Sequence, residues 1–286
     1  MNKMQKKKAV IFGAGQGAKE VINLYPNYEI IFMVDMDESC VGKIFECNGG
    51  GYPIRNMDEL ANGGFDVIIL SSLSLFDTSY NLCKKTYLIP DECIIFSHLE
   101  LPIKARIAFL EAYSKIVDSK QISGSICEVG VFKGDFAKEI CRVFPTRTIY
   151  LFDTFEGFDN RDIAVEIENK YSHEKSGHFS ITSEYLVGEK LKNHPDVRIR
   201  KGYFPESFNI DGETFCFVNL DTDLYQPTLS GLKIFYPLME KHGVILIHDY
   251  FSKKYFGAKA ATDEFCAEYN LSVVPIGDTL SVALIK

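Results

Sequence analysis

Tryptophan is absent from this 286-residue chain, and so is any C-x-x-C pair. The eight cysteines are scattered. Cys127, Cys141 and Cys216 fall in apolar periodic stretches, which reads as buried free thiols in a reducing, cytoplasmic setting. No apolar run approaches the ~20 residues of a membrane span, so no membrane partner is expected. The basic start, Met1 to Lys8, leads into an apolar run, Ala9 to Phe12, that is too short for a signal peptide. Basic residues are also in deficit: 31 Lys and Arg stand against 39 Asp and Glu, a net charge of -8. Nucleic acid needs a basic face, so none is expected as a partner. The phosphate-cradling pattern G-x-x-x-x-G-K-[ST] is missing too.

What is present describes a globular α/β protein. Hydrophobic residues make up 46% of the chain and the mean hydropathy is -0.03. The length suits two domains, and strands alternate with helical patterns, which implies mostly parallel, doubly wound Rossmann-like sheets. The expected division is a nucleotide-binding domain over 1–98, a connecting helix within 99–123 and a second domain over 124–286.

In the first domain Lys8 to Gly13 reads as a buried strand, Lys19 to Leu24 as a helix, and Tyr28 to Val34 as a second strand ending at Asp35. Gly13-Ala14-Gly15-Gln16-Gly17-Ala18 between them is G-x-G-x-x-A with an acid about 20 positions on. Gly13, Gly15 and Gly17 would let a pyrophosphate approach the helix N-terminus, and Asp35 would accept from a ribose hydroxyl. A structural Rossmann unit with no ligand is the alternative. Val41 to Pro53 reads as a glycine-rich loop or small hairpin, Asp58 to Ala61 as a short helix, Asp66 to Ser71 as a strand, Ser79 to Lys85 as a helix and Glu92 to Phe96 as a strand. This opening resembles the N-terminal nucleotide-binding domains of bacterial sugar-modifying enzymes, which implies NAD or a nucleotide-sugar as ligand.

Ile103 to Val117 has helical spacing. Beyond it, strands are expected at Ser125–Gly130, Thr148–Asp153, Val197–Arg200, Phe215–Asp221 and Gly243–His248, with an antiparallel edge from Leu271–Pro275 and Ser281–Ile285. Helices are expected at Phe136–Val143, Ser183–Leu191, Pro227–Phe235 and Ala258–Ala267. Acidic residues stand at four strand ends, where an open α/β sheet binds its ligands. Glu128 suits an ammonium group, and Gly130 clears the backbone for a close approach. Asp153 suits a ribose, or else a turn. Asp221 and Asp223 would repel without a cation or proton between them. Asp221, His248 and Asp249 should converge, and oxygen ligands with one imidazole suit Mg²⁺ or Mn²⁺. Asp223 reads equally as a helix cap, and His248 as ligand, base or core residue. Glu156 to Ser180, with His173 and His178, is long for a strand–helix loop and reads as a lid.

Glu128-Val-Gly-Val-Phe-Lys-Gly, Leu151-Phe-Asp-Thr-Phe-Glu-Gly-Phe, Lys201-Gly-Tyr-Phe-Pro-Glu-Ser, Leu220-Asp-Thr-Asp-Leu-Tyr and His248-Asp-Tyr, in this order, resemble the macrocin O-methyltransferase (TylF/MycF-type) family over roughly 103–286. The resemblance implies a class I S-adenosylmethionine (SAM)-dependent methyltransferase acting on sugar or nucleotide-sugar hydroxyls with a divalent metal. It implies that Glu128, Gly130, Val131, Gly134 and Asp153 hold SAM and that Thr154 and Phe155 line its pocket. Asp221 and Asp249 would bind metal, with His248 where the antibiotic-sugar enzymes carry an aspartate. Asp221 or His248 would take the acceptor's proton. A homo-oligomer is the expected assembly. The competing readings are an NAD-dependent oxidoreductase, which lacks a Tyr-x-x-x-Lys here, and a nucleotide-sensing protein.

Overall fold

The computed structural model describes residues 6–72 and 75–286. Residues 1–5, the first part of the basic start, lie outside that range. The chain divides into two units, Met1–Leu101 and Pro102–Lys286.

The first unit opens with strand β1 (Lys7–Phe12), helix α1 (Gln16–Leu24) and strand β2 (Tyr28–Val34). The glycine-rich stretch forms a hairpin of β3 (Ile44–Cys47) and β4 (Gly50–Arg55). A 3-10 turn at Met57–Asn62, strand β5 (Val67–Leu70), helix α2 (Phe76–Asn81) and strand β6 (Ile94–Ile95) follow. The expected helix over Ser79–Lys85 falls across α2 and the π turn at Leu82–Thr86 that continues it, so the helical run begins earlier than the pattern predicts. The sheet order is β3-β4-β2-β1-β5-β6, parallel except for the hairpin. Its direction of winding reverses between β1 and β5. β1 and β5 carry Val10, Ile11, Ile68, Ile69 and Leu70 with no exposed surface, as a strand covered on both faces requires.

Helix α3 (Ser97–Lys120) leads into β7 (Ser125–Val129), α4 (Asp135–Val143), β8 (Ile149–Asp153), α5 (Asn160–Asn169), α6 (Glu184–Leu191), β9 (Val197–Lys201), β10 (Phe215–Leu220), α7 (Tyr225–Leu238), β11 (Met239–Ile247), α8 (Phe256–Tyr269), β12 (Val274–Pro275) and β13 (Val282–Ile285). The sheet order is β12-β13-β11-β10-β7-β8-β9. β7 to β11 run parallel, and β13 closes the edge antiparallel. β11 begins earlier than the pattern predicts, because a bulge between Phe215 and Phe217 lets β10 pair as far back as Met239.

The core lies on both faces of this sheet. On one face α3 buries Leu110, Tyr113 and Val117 against Ile126, Phe217 and Leu246. On the other, Phe152, Phe215 and Phe235 pack together. Tyr113 fixes α3 in place: its hydroxyl donates to the Cys216 carbonyl at 2.8 Å and the His242 carbonyl at 3.0 Å. Those carbonyls belong to β10 and β11, so one side chain sets the helix against both strands. Winding reverses between β7 and β10, and the crevice at their carboxyl ends is where such sheets hold ligands.

Candidate active site

Register puts the strand-end residues at one level. Glu128 lies beside Asn219, Val129 beside Leu220 and Phe152, and Leu220 beside Ile247. The next residues along, Gly130, Asp153, Asp221 and His248, therefore share the rim of the crevice. Gly130 has φ +82°, and a Cβ there would lie 2.0 Å from the Asp221 carbonyl oxygen. Only glycine lets the loops after β7 and β10 approach this closely.

Glu128 is 1% exposed and Asn219 has no exposed surface. The Asn219 side-chain amide donates to Glu128 Oε1 at 2.9 Å. Glu128 Oε2 and Asn219 Oδ1 are both buried without a partner. Burial first, then the charge of Asp221, pushes the Glu128 carboxyl well above the usual carboxylate range, against the pull of the Asn219 bond and Arg106. Two adjacent unmet acceptors, one on the Glu128 carboxyl and one on the Asn219 amide, call for a cationic donor, and an ammonium group fits.

Asp153 is committed to the backbone. Its Oδ2 accepts from the amides of Val131 at 2.7 Å and Phe132 at 2.8 Å, and its Oδ1 from that of Phe155 at 2.7 Å. A carboxylate offers about four lone-pair sites, so one is left for a ribose hydroxyl. Asp35 does the same in the first unit, where Oδ2 accepts from Ala14 and Oδ1 from Asp37. The residue before each pair matches too: Gly13 donates to the Val34 carbonyl and Gly130 to that of Phe152. Of the other residues expected around SAM, Val131 and Phe155 are buried in the core. Gly134 opens α4 at φ +73°, and the Thr154 hydroxyl donates to the Gly157 carbonyl at 2.8 Å.

The expected cation cluster does assemble. His248 Nδ1 lies 2.9 Å from Asp221 Oδ1 and 2.6 Å from Asp249 Oδ2. One ligand atom each from Asp221, His248 and Asp249 lies within 4.8 Å of the others, near enough for one ion. Those atoms are already engaged, however. Burial would lower His248, but Asp221 and Asp249 outweigh it and hold the imidazole up to about 10. The imidazole sits between the two carboxylates, which favour its charged form. Burial would raise Asp221, but His248 and Arg106 hold it well below the usual range. Burial, then the neighbouring Asp249 and Asp221, push the Asp223 carboxyl well up. A divalent ion here would have to displace or share the contacts of Asp221 with His248 and Arg106.

Arg106, on α3, is the residue that sequence reasoning missed. Its Nη1 donates to Asp221 Oδ2 at 2.9 Å. Asn219 was missed as well, although a lone amide within Phe-Cys-Phe-Val-Asn-Leu demands a buried partner.

The insertion after β8 holds helix α5, which its charged sequence hid. Asp159 caps it by accepting from the Arg161 amide at 2.9 Å. Glu166 on α5 accepts from the Tyr225 amide at 2.8 Å, capping α7 from outside. Ile163, Leu224 and Tyr255 form a small core with Phe158 and Phe179. Glu174 pairs with Lys254 at 2.5 Å. The insertion is thus tied to the loops after β10 and β11. His178 stacks on Phe158 and faces Glu174 at 3.4 Å, and His173 is exposed.

In the first unit the three glycines differ. Cβ atoms on Gly13 and Gly17 would strike Ser71, at 2.5 Å from Oγ and 1.8 Å from the carbonyl oxygen. Gly15 faces open space. Two of the glycines are therefore required by packing on β5, and one is not.

A profile described as Macrocin-O-methyltransferase (TylF) matches residues 101–279. The chain belongs to this family. The macrocin O-methyltransferase match begins where α3 enters the second unit and leaves residues 1–100 outside it. Demethyldecarbamoylnovobiocin O-methyltransferase from Streptomyces niveus is 24% identical over 187 residues, 62% of this chain and 70% of that protein. Among solved structures, the O-methyltransferase NovP is similar with a TM-score of 0.52 at 21% identity, covering 64% of this chain and 79% of that one. A calicheamicin methyltransferase has a TM-score of 0.54 at 20% identity, covering 75% and 93%. These structural likenesses show the fold, a class I methyltransferase sheet. The macrocin family assignment makes the protein a SAM-dependent O-methyltransferase, and the unmet acceptors on Glu128 and Asn219 fit the ammonium end of that cofactor.

Proposed function

We propose that the second unit methylates a hydroxyl of a sugar or nucleotide-linked sugar. The observation that carries this is the convergence of Glu128, Gly130, Asp153 and Asp221 at the rim between β10, β7 and β8. A rim of carboxyl groups (Asp221, Asp223, Asp249) beside the Tyr255 ring suits an acceptor rich in hydroxyls. The macrocin, novobiocin and calicheamicin named for the relatives support the same class.

SAM supplies an electrophilic methyl group on a sulfonium. Glu128 and Asn219 would hold its ammonium end, and Asp153 would offer its remaining lone pair to the ribose. Asp221, ionised and anchored by Arg106 and His248, accepts the hydrogen bond of the acceptor hydroxyl and sets it in line. A carboxylate this weakly basic suffices, because the hydroxyl proton becomes acidic only as the oxygen–carbon bond forms. The insertion, tied down through Glu166 and Glu174, excludes water.

For the first unit we infer a nucleotide, with NAD and a nucleotide-sugar as the candidates. Gly15 faces open space at the start of α1, and Asp35 keeps lone pairs beyond those taken by Ala14 and Asp37. Melting curves with SAM, NAD and UDP-sugars added separately test both readings. A ligand at a hundredfold its Kd stabilises by ~2.7 kcal/mol. Stabilisation by SAM, together with methylation of a sugar detected by mass, supports the first reading. Stabilisation by NAD alone would favour an oxidoreductase and overturn it.

A further inference from the structure

Helix α3 is not part of the strand–helix alternation, yet it delivers a charged group to the strand tips. Arg106 precedes Tyr113 by seven residues, two helical turns, so both face the sheet from one side of the helix. Tyr113 is held by carbonyls of β10 and β11. This places the Arg106 guanidinium 2.9 Å from Asp221 Oδ2, with the two side chains 12% and 22% exposed. The same guanidinium lies 4.2 Å over the Phe136 ring, which covers its face and limits it to in-plane donation. Asp221 is thus taken on both oxygens, Oδ1 by His248 and Oδ2 by Arg106. Each oxygen keeps a second lone pair, but a divalent ion drawn to either would sit beside the Arg106 guanidinium and be repelled by it.

We propose that Arg106 is a built-in cation of the acceptor site, filling the place at Asp221 that a divalent metal would otherwise take. This rests on the methyl-transfer reading for its role in the reaction, though not for its test. Arginine keeps its charge at any working pH. It can hold Asp221 ionised and offer positive charge beside the acceptor oxygen without binding or losing an ion. A lysine could carry the charge but not the planar stacking on Phe136.

Mn²⁺ alone is the probe. Titration of the wild-type chain, followed by the electron paramagnetic resonance of free Mn²⁺, should show no stoichiometric site. Arg106→Met keeps the stem packed and frees Asp221 Oδ2. It should bind one Mn²⁺ per chain at least about tenfold more tightly than wild type, a ~1.4 kcal/mol difference. Arg106→Lys should stay metal-free. The SAM-induced rise in Tm, measured on the same samples, reports the methyltransferase reading separately. Wild type binding one Mn²⁺ per chain overturns the proposal, and does so even if Arg106→Met fails to fold. No gain of Mn²⁺ affinity in a folded Arg106→Met chain overturns it as well.

Discussion

Asn219 donates to Glu128 across the β7–β10 pair while its own carbonyl oxygen, and the second Glu128 oxygen, are buried without partners among the described residues. The Glu128 carboxyl is raised in the folded chain. A raised acid contributes stability fully present below its unfolded value of ~4.3 and lost as pH rises through the folded value. Near neutral pH the wild-type residue is therefore destabilising. Glu128→Gln should melt higher than wild type near neutral pH, with the gain fading towards about pH 4. It should also bind SAM ~10–100-fold more weakly. Melting curves across pH and calorimetric titration with SAM check both, and an unchanged SAM affinity would remove Glu128 from the site.

Asp153 carries three backbone amides, so Asp153→Asn should do more than lose a ribose contact. Its amide nitrogen cannot accept, and at least one loop N–H is stranded at ~1–3 kcal/mol. The expected result is a lower Tm without any ligand, together with weaker SAM binding. Normal stability with weak SAM binding would assign Asp153 to the ribose alone.

Gly130→Ala sets a methyl group 2.0 Å from the Asp221 carbonyl in a left-handed backbone. The loops after β7 and β10 must then part. A loss of ~3 kcal/mol or more is expected, read as a Tm drop of roughly 6–12 °C. A drop of a degree or less would contradict the close approach.

The glycines of the first unit should separate in the same way. Gly17→Ala collides with the Ser71 carbonyl at 1.8 Å and should destabilise by ~2–3 kcal/mol. Gly15→Ala meets nothing within 4 Å and should cost under about 1 kcal/mol. Melting both variants without ligand decides it.

Lys254→Met breaks the pair with Glu174 that ties the insertion to the loop after β11. Chymotrypsin cleavage within 170–183 should speed up several-fold, while the Tm stays within about 2 °C, because the lysine end of the pair is half exposed. Unchanged cleavage would show that the small core around Phe158 and Tyr255 holds the insertion alone.

The sheet and its acidic tips were readable because buried parallel strands are short apolar runs and their ends are marked by Glu128, Asp153, Asp221 and His248-Asp249. Arg106 was not readable. It meets Asp221 from 115 positions away, and its register is set by a tyrosine hydroxyl on strand carbonyls, which leaves no trace in a helical pattern. Helix α5 was hidden because its buried face includes Asp162 and Glu166, charged residues that break the apolar periodicity. The state of His248 was hidden because it depends on two carboxylates sharing one nitrogen, a matter of ångströms rather than spacing.

The paired clasps at Asp35 and Asp153 bear on how such signatures are interpreted. In each unit a carboxylate at the end of the second strand gathers the amides of the first loop and of its own turn. An acid at this place can therefore be demanded by the folding of the loop before any nucleoside arrives. Swapping it reports on loop order first and on ligand chemistry only after that order has been measured.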